Sequence, residues 1–323
     1  MIIAKSTDLV LDDVFLALPC LVPGRDVFLK IEWMNPAGSI KMKTALGLIE
    51  DLEKAGVLLP NSRIIESSSG NLGIALAAIC AARGYDLTIV TDPNTTSSAV
   101  DMMRAFGATV EIVSTTDDSG GYLGSRIEYI KEALASAPWL VWPNQYSNPA
   151  NPRAHQRTTA PAIFKEFGHV EALFVGVGTA GTLQGCLDFI RSTNAETKVF
   201  AVDTLGSVTF GGCARTRYIP GIGSSRRPEL FQDSGDFHKV LVDERDAIEE
   251  CRLMARKYGL LVGGSTGSLL AAARRICGEL NDGARVVLIS ADSGEKYLKT
   301  VFSDDWVTAR YCPQEVEAAS CRS

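Results

Sequence analysis

Several things are scarce in this chain of 323 residues. Histidine occurs three times, and the eight cysteines (Cys20, Cys80, Cys186, Cys213, Cys251, Cys277, Cys312 and Cys321) include no CxxC pair. That spacing argues against a metal centre and reads as idle or buried thiols in a reducing cytosol, so a cytoplasmic protein is expected. No apolar run approaches the ~18 residues needed to span a bilayer. The longest, 74–82, reads as a buried helix. Residues 1–8 lack a basic segment followed by an apolar block, so no signal peptide is read there. Basic excess is missing too, with 32 Lys and Arg against 38 Asp and Glu for a formal charge of -6. That balance disfavours a nucleic-acid partner while leaving room for a locally basic pocket. There is no repeat and no low-complexity linker, so two lobes would be woven together rather than strung in series.

What is present is hydrophobic content of 46% in short β-rich runs alternating with amphipathic stretches. Strands are expected at 27–31, 63–66, 87–90, 109–113, 172–176, 198–202 and 285–289. Helices are expected at 43–55, 72–84, 97–106 and 267–280. Apolar runs without period-2 alternation fit strands covered on both faces, hence an α/β protein with mostly parallel sheets.

Five polar, glycine-bearing segments follow strands, and in open α/β sheets ligands collect at those carboxyl ends. In N-P-A-G-S-I-K, Lys41 sits where a strand and tight turn lead into a helix. That suits a Schiff-base lysine, although a lysine near a turn can equally be a solvated surface group. Lys43, two residues on, should point to a different side. The run E-S-S-S-G-N-L-G, Glu66 to Gly73, opens a helix. Its amides could hold a carboxylate or phosphate, or its serines could simply cap. G-V-G-T-A-G-T, Gly176 to Thr182, reads as a phosphate cup without a nucleotide signature, since no lysine closes it. G-G-S-T-G-S, from Gly263, and A-D-S-G-E-K-Y-L, from Ala291, complete the set.

In this order, with N-Q-Y-S-N-P-A-N-P from Asn144, the motifs resemble the cysteine synthase / cystathionine β-synthase family of fold-type II pyridoxal phosphate enzymes. The resemblance spans about 22–306. It implies a tryptophan synthase β-like fold of two interwoven open twisted-sheet lobes. A large cofactor lobe would comprise 1–43 and 144–310, a small mobile lobe 44–143, and a loose tail 311–323. It also implies a homodimer with small amino-acid substrates and no membrane or nucleic-acid partner.

Carried over residue by residue, the resemblance makes Lys41 the lysine that bonds pyridoxal 5'-phosphate and later moves the α-proton. Asn71 would bond the cofactor's 3'-oxygen. Gly178, Thr179, Ala180, Gly181 and Thr182 would hold its phosphate, and Ser265 would face the pyridine nitrogen. Ser68, Ser69, Gly70, Asn71 and Leu72, with Gln145, would grip the substrate carboxylate. The implied reaction is β-replacement: a leaving group departs from the β-carbon of a serine-type amino acid and a second nucleophile adds there.

The sequence departs from ordinary cysteine synthases at Leu72, where threonine is usual, and at Met42-Lys43, where Asp-Arg is usual. Segments 120–126, 144–146, 202–211 and 219–229 resemble the siderophore-pathway branch. That branch joins O-phospho-L-serine to L-glutamate, releases phosphate and supplies 2,3-diaminopropionate precursors. Its substrates are strongly anionic, so Arg126 and Tyr146, then Arg226 and Arg227, are the candidate donors. Gly178 departs from the serine expected in that branch. The competing expectations are a cysteine synthase using O-acetyl- or O-phospho-L-serine with sulfide, and a catalytically silent binding protein. The set Lys41, Asn71 and Ser265 argues against the silent protein.

Overall fold

The computed structural model describes residues 2–117 and 120–311. In chain order the elements are β1 Phe15–Ala17, β2 Asp26–Ile31, α1 Lys41–Lys54, β3 Arg63–Ser67, α2 Asn71–Arg83, β4 Asp86–Thr91, α3 Ser97–Ala105, β5 Thr109–Ile112, α4 Leu123–Ser136 and β6 Leu140–Val141. There follow α5 Ala150–Arg157, α6 Thr159–Phe167, β7 Ala172–Gly176, α7 Gly181–Thr193, β8 Lys198–Thr204, β9 His238–Val242, α8 Glu244–Tyr258, α9 Gly264–Ile276, β10 Arg285–Ser290 and α10 Asp304–Tyr311.

Two sheets result. One has six strands in the order β1-β2-β10-β7-β8-β9, parallel except for β1 against β2. The other is parallel, in the order β5-β4-β3-β6, and lies entirely between β2 and β7 in sequence. The chain therefore leaves the larger sheet after β2, builds the smaller one and returns, which gives the interwoven arrangement expected of the fold. Strands β3, β7 and β10 are buried almost end to end, as their unalternating apolar sequences require. Edge strands β5 and β9 are largely exposed.

Helix α2 is buried over most of its length, and Gly84 at φ +75° ends it in the left-handed region open to glycine. The smaller sheet's core joins α2 to Met42, Leu48 and Ile49 of α1 and to Ala150 of α5. Helix α1 therefore packs with both the smaller sheet and the segment that returns to the larger one. Tyr311, the first residue of the expected tail 311–323, closes α10, and residues 312–323 lie outside the described residues. No helix among the described residues is long and apolar enough to cross a membrane.

Candidate active site

The sequence N-P-A-G-S folds the turn before Lys41 around one carboxamide. Asn35 Oδ1 accepts from the amides of Ala37 (3.1 Å) and Ser39 (3.4 Å), while Nδ2 donates to the carbonyls of Glu32 and Ser39 (both 3.0 Å). Lys41 follows as the first residue of α1, its Nζ 3.5 Å from Thr179 Oγ1 across the cleft. Burial lowers its pKa to about 8, opposed by the charge of Glu66. An amine so placed spends an appreciable fraction of its time unprotonated near neutrality, as a nucleophile or base must. Lys43 does face elsewhere. It pairs with Asp12 and, at 2.6 Å, with Glu32, in a buried cluster shared with Lys30.

Opposite Lys41, β7 ends in the cup. Ala180 takes a left-handed backbone (φ +67°) and α7 starts at Gly181, so the helix's first amides, which have no intrahelical carbonyl, open toward the cleft. Gly181 tolerates no side chain, because a Cβ there would fall 2.0 Å from Asn151 Oδ1. Asn151 is itself fixed, donating to Gln145 O (2.8 Å) and Thr179 Oγ1 (3.1 Å). Lys41, Gly178 to Thr182 and Ser265 line one cleft. Anion-binding amides at one end, an amine of lowered pKa and a neutral serine hydroxyl fit the phosphate, carbonyl and ring nitrogen of pyridoxal phosphate.

The second wall starts where β3 ends. Ser68 Oγ accepts from Gly70 N (3.3 Å) and Gly73 N (2.9 Å), so this serine does cap α2. Ser69 is exposed and Gly70 half-buried. Leu72 turns its side chain into the smaller sheet's core, which leaves only its backbone for the loop. Asn71 donates from Nδ2 to Asp292 Oδ2 and accepts at Oδ1 from Lys296 Nζ, both at 2.7 Å. Gln145 reaches the loop by donating from Nε2 to Ser67 O (3.0 Å).

Arg126 is 5% exposed and its Nη1 pairs with Asp92 Oδ2 at 3.4 Å, while among the described residues its Nε has no hydrogen-bond partner. Burial raises the Tyr146 hydroxyl and the neighbouring Arg126 opposes that shift, so these two candidates do meet. Arg226 and Arg227 do not join them. Both are exposed, one near Glu229 at 3.4 Å and the other stacked 5.0 Å over Phe231.

Sequence reasoning missed Glu66 as a site residue. It is fully buried and accepts from Trp142 Nε1 (3.0 Å), Ser67 N (2.8 Å) and Gln145 N (3.3 Å). Burial pushes it up to about 7 against those bonds. The available signal was a lone acid ending an otherwise apolar strand. Among the described residues no group of His, Cys, Asp and Glu is arranged to hold a metal ion.

Comparison with known proteins agrees with this chemistry. A family model described as "Pyridoxal-phosphate dependent enzyme" matches residues 15–292. The chain is 39% identical over 309 residues to N-(2-amino-2-carboxyethyl)-L-glutamate synthase of Ralstonia nicotianae, covering 94% of this chain and 91% of that protein. Among solved structures, O-ureido-L-serine synthase superposes with a TM-score of 0.87 at 30% identity, over 96% of this chain and 100% of that one. A hydrogen sulfide-producing enzyme of Fusobacterium nucleatum gives 0.86 at 32% identity, over 92% and 100%. The O-acetylserine dependent cystathionine beta-synthase of Helicobacter pylori gives 0.84 at 29%, over 93% and 98%.

Proposed function

Since the chain belongs to the pyridoxal-phosphate dependent enzyme family, we propose that it joins O-phospho-L-serine to L-glutamate, releasing phosphate and forming N-(2-amino-2-carboxyethyl)-L-glutamate. The observation that carries the choice is Arg126, a buried guanidinium beside Tyr146 that pairs with Asp92 and whose Nε has no partner among the described residues. A dicarboxylate acceptor or a phosphorylated donor brings negative charge beyond the α-carboxylate, which a guanidinium can meet. The relative from Ralstonia nicotianae, named for this product, supports the reading.

The roles divide as follows. Pyridoxal phosphate supplies an electron sink that acidifies the substrate's α-carbon and loosens its β-substituent. Lys41 Nζ would hold the cofactor and, with its lowered pKa, would take the substrate's α-proton and return it to the same carbon. The loop Ser68 to Leu72, through the amides of Ser69, Asn71 and Leu72, and the Gln145 carboxamide hold the α-carboxylate. Gly178 to Thr182 would hold the cofactor's phosphate, and the neutral Ser265 hydroxyl, which lines the same cleft, would meet its ring nitrogen. Arg126 and Tyr146 take the second carboxylate or the leaving phosphate. The lobe 44–143 closes over the bound substrate and excludes water. The product is a precursor of 2,3-diaminopropionate, as a siderophore pathway needs.

The test is a product assay by mass detection with phosphoserine plus glutamate against acetylserine plus sulfide. A glutamate adduct with phosphate release is expected. Efficient cysteine formation without the adduct would establish the cysteine synthase alternative, toward which Gly178 and the O-acetylserine dependent structural neighbour lean.

A further inference from the structure

The segment after β10 has no part in the function just proposed, yet it touches both the turn before Lys41 and Asn71. The amide of Ile40 donates to Ala291 O at 2.7 Å, and Ser39 forms a bridge with Asp292, so the turn before Lys41 is strapped to it. Lys296 Nζ donates to Ala37 O (2.9 Å) and Gly38 O (3.1 Å) of that turn and also to Asn71 Oδ1 (2.7 Å). From the other side Asp292 Oδ2 accepts from Asn71 Nδ2 at 2.7 Å, and the Tyr297 hydroxyl donates to the same oxygen. Asp292 is 3% exposed and seated so tightly that a Cβ on Gly263 would lie 1.9 Å from its Oδ1.

A carboxamide has an acceptor end and a donor end of nearly equal shape, so packing alone does not choose between them. Here a cation holds the oxygen and an anion holds the nitrogen. Inversion would set Nδ2 against an ammonium and Oδ1 against a carboxylate. One N–H of Asn71 is directed at Asp292, and Nδ2 carries a second, with the Tyr297 hydroxyl also close to this carboxamide.

We propose that Asp292 and Lys296 are positioning residues, which lock the Asn71 carboxamide so that its second N–H is presented to the 3'-oxygen of bound pyridoxal phosphate. The proposal rests on the reading of Asn71 as a cofactor contact. Through these two residues the A-D-S-G-E-K-Y-L motif joins the Lys41 turn and Asn71 into one unit.

The test is a double-mutant cycle on the full chain, stripped of cofactor and titrated with pyridoxal phosphate. It reads equilibrium affinity and the visible absorption maximum, with thermal unfolding of the cofactor-free protein as a check on folding. Asp292→Asn keeps the volume and removes the charge. With Asn71 present it is expected to weaken affinity about tenfold, the scale of one lost hydrogen bond, and to move the absorption maximum. In the Asn71→Ala background it should do neither. Lys296→Met should likewise cost more with Asn71 present than without, and Lys296→Arg should restore most of the loss. If Asp292→Asn fails to fold, the Lys296→Met pair carries the test. Equal losses in both backgrounds overturn the lock while leaving Asn71 a cofactor contact. Unchanged affinity and absorption in Asn71→Ala alone would remove that contact and the lock with it.

Discussion

The two walls of the cleft are built from different materials. The cup at Gly178 to Thr182 is backbone: helix amides, a left-handed Ala180 and a glycine pressed on Asn151. The other group is side chain: Arg126, Tyr146, Gln145 and Glu66 come near one another from α4, from the turn after β6 and from β3. A backbone wall can recognise a fixed group such as a phosphate, and its shape is set by which residues are small. A side-chain wall carries charge that one substitution can change. On the proposed function, cofactor retention falls to the first and substrate choice to the second.

Lys41 serves both walls, so its loss should have the largest effect. Lys41→Ala is expected to lower turnover by at least about 10³-fold and to abolish borohydride fixation of the cofactor, read from the mass of the intact chain. Survival of that fixation would transfer the role to another lysine. Gly181→Ala attacks the backbone wall alone. With Asn151 unable to yield, cofactor affinity should fall about 100-fold and stability by about 1–3 kcal/mol, measured by titration and denaturant unfolding.

Glu66 gives the side-chain wall a pH signature in the cofactor-free protein. Its carboxyl is unprotonated above about 4.5 when unfolded but only above about 7 when folded. The folded state then holds an extra proton in that window, so stability is greatest below it and falls as pH rises, by about 1.4 kcal/mol per pH unit at most. Glu66→Gln should flatten this part of the profile. An unchanged profile would show that Glu66 is ionised in the fold.

The sharpest separation of the walls comes from Arg126→Lys, which keeps a charge against Asp92 but removes the guanidinium fork. About a tenfold drop in kcat/KM for phosphoserine or glutamate is expected, with cofactor affinity unchanged. A parallel fall in cofactor affinity would break the division of labour.

The same division explains what was legible in the sequence. Strands β7 and β10 were readable because burial on both faces leaves an unbroken apolar run. Strand β9, H-K-V-L-V at an exposed edge, and the two-residue β6 carry no such run and were missed. Helix α8 was missed although Asp243 caps it by accepting from Arg245 N, a signal available in D-E-R-D. The cup was legible because glycine spacing is local. Glu66, Asp292 and Lys296 were not singled out, because their significance lies in partners far along the chain: Gln145 for the first and Asn71 for the other two. Arg226 and Arg227 looked eligible by charge, but nothing in a linear reading shows that they face solvent.

The position of β10 between β2 and β7 also has a temporal side. A ribosome delivers the chain from its amino end, and the smaller sheet has all its strands once Leu140–Val141 has emerged. Strand β2 at that moment has only the short β1 beside it, and its parallel partner Arg285–Ser290 is among the last elements made. The wall that carries substrate charge can thus take shape early. The large sheet stays open at its centre until synthesis is nearly complete, and the strand that closes it leads directly into the segment that straps the Lys41 turn to Asn71.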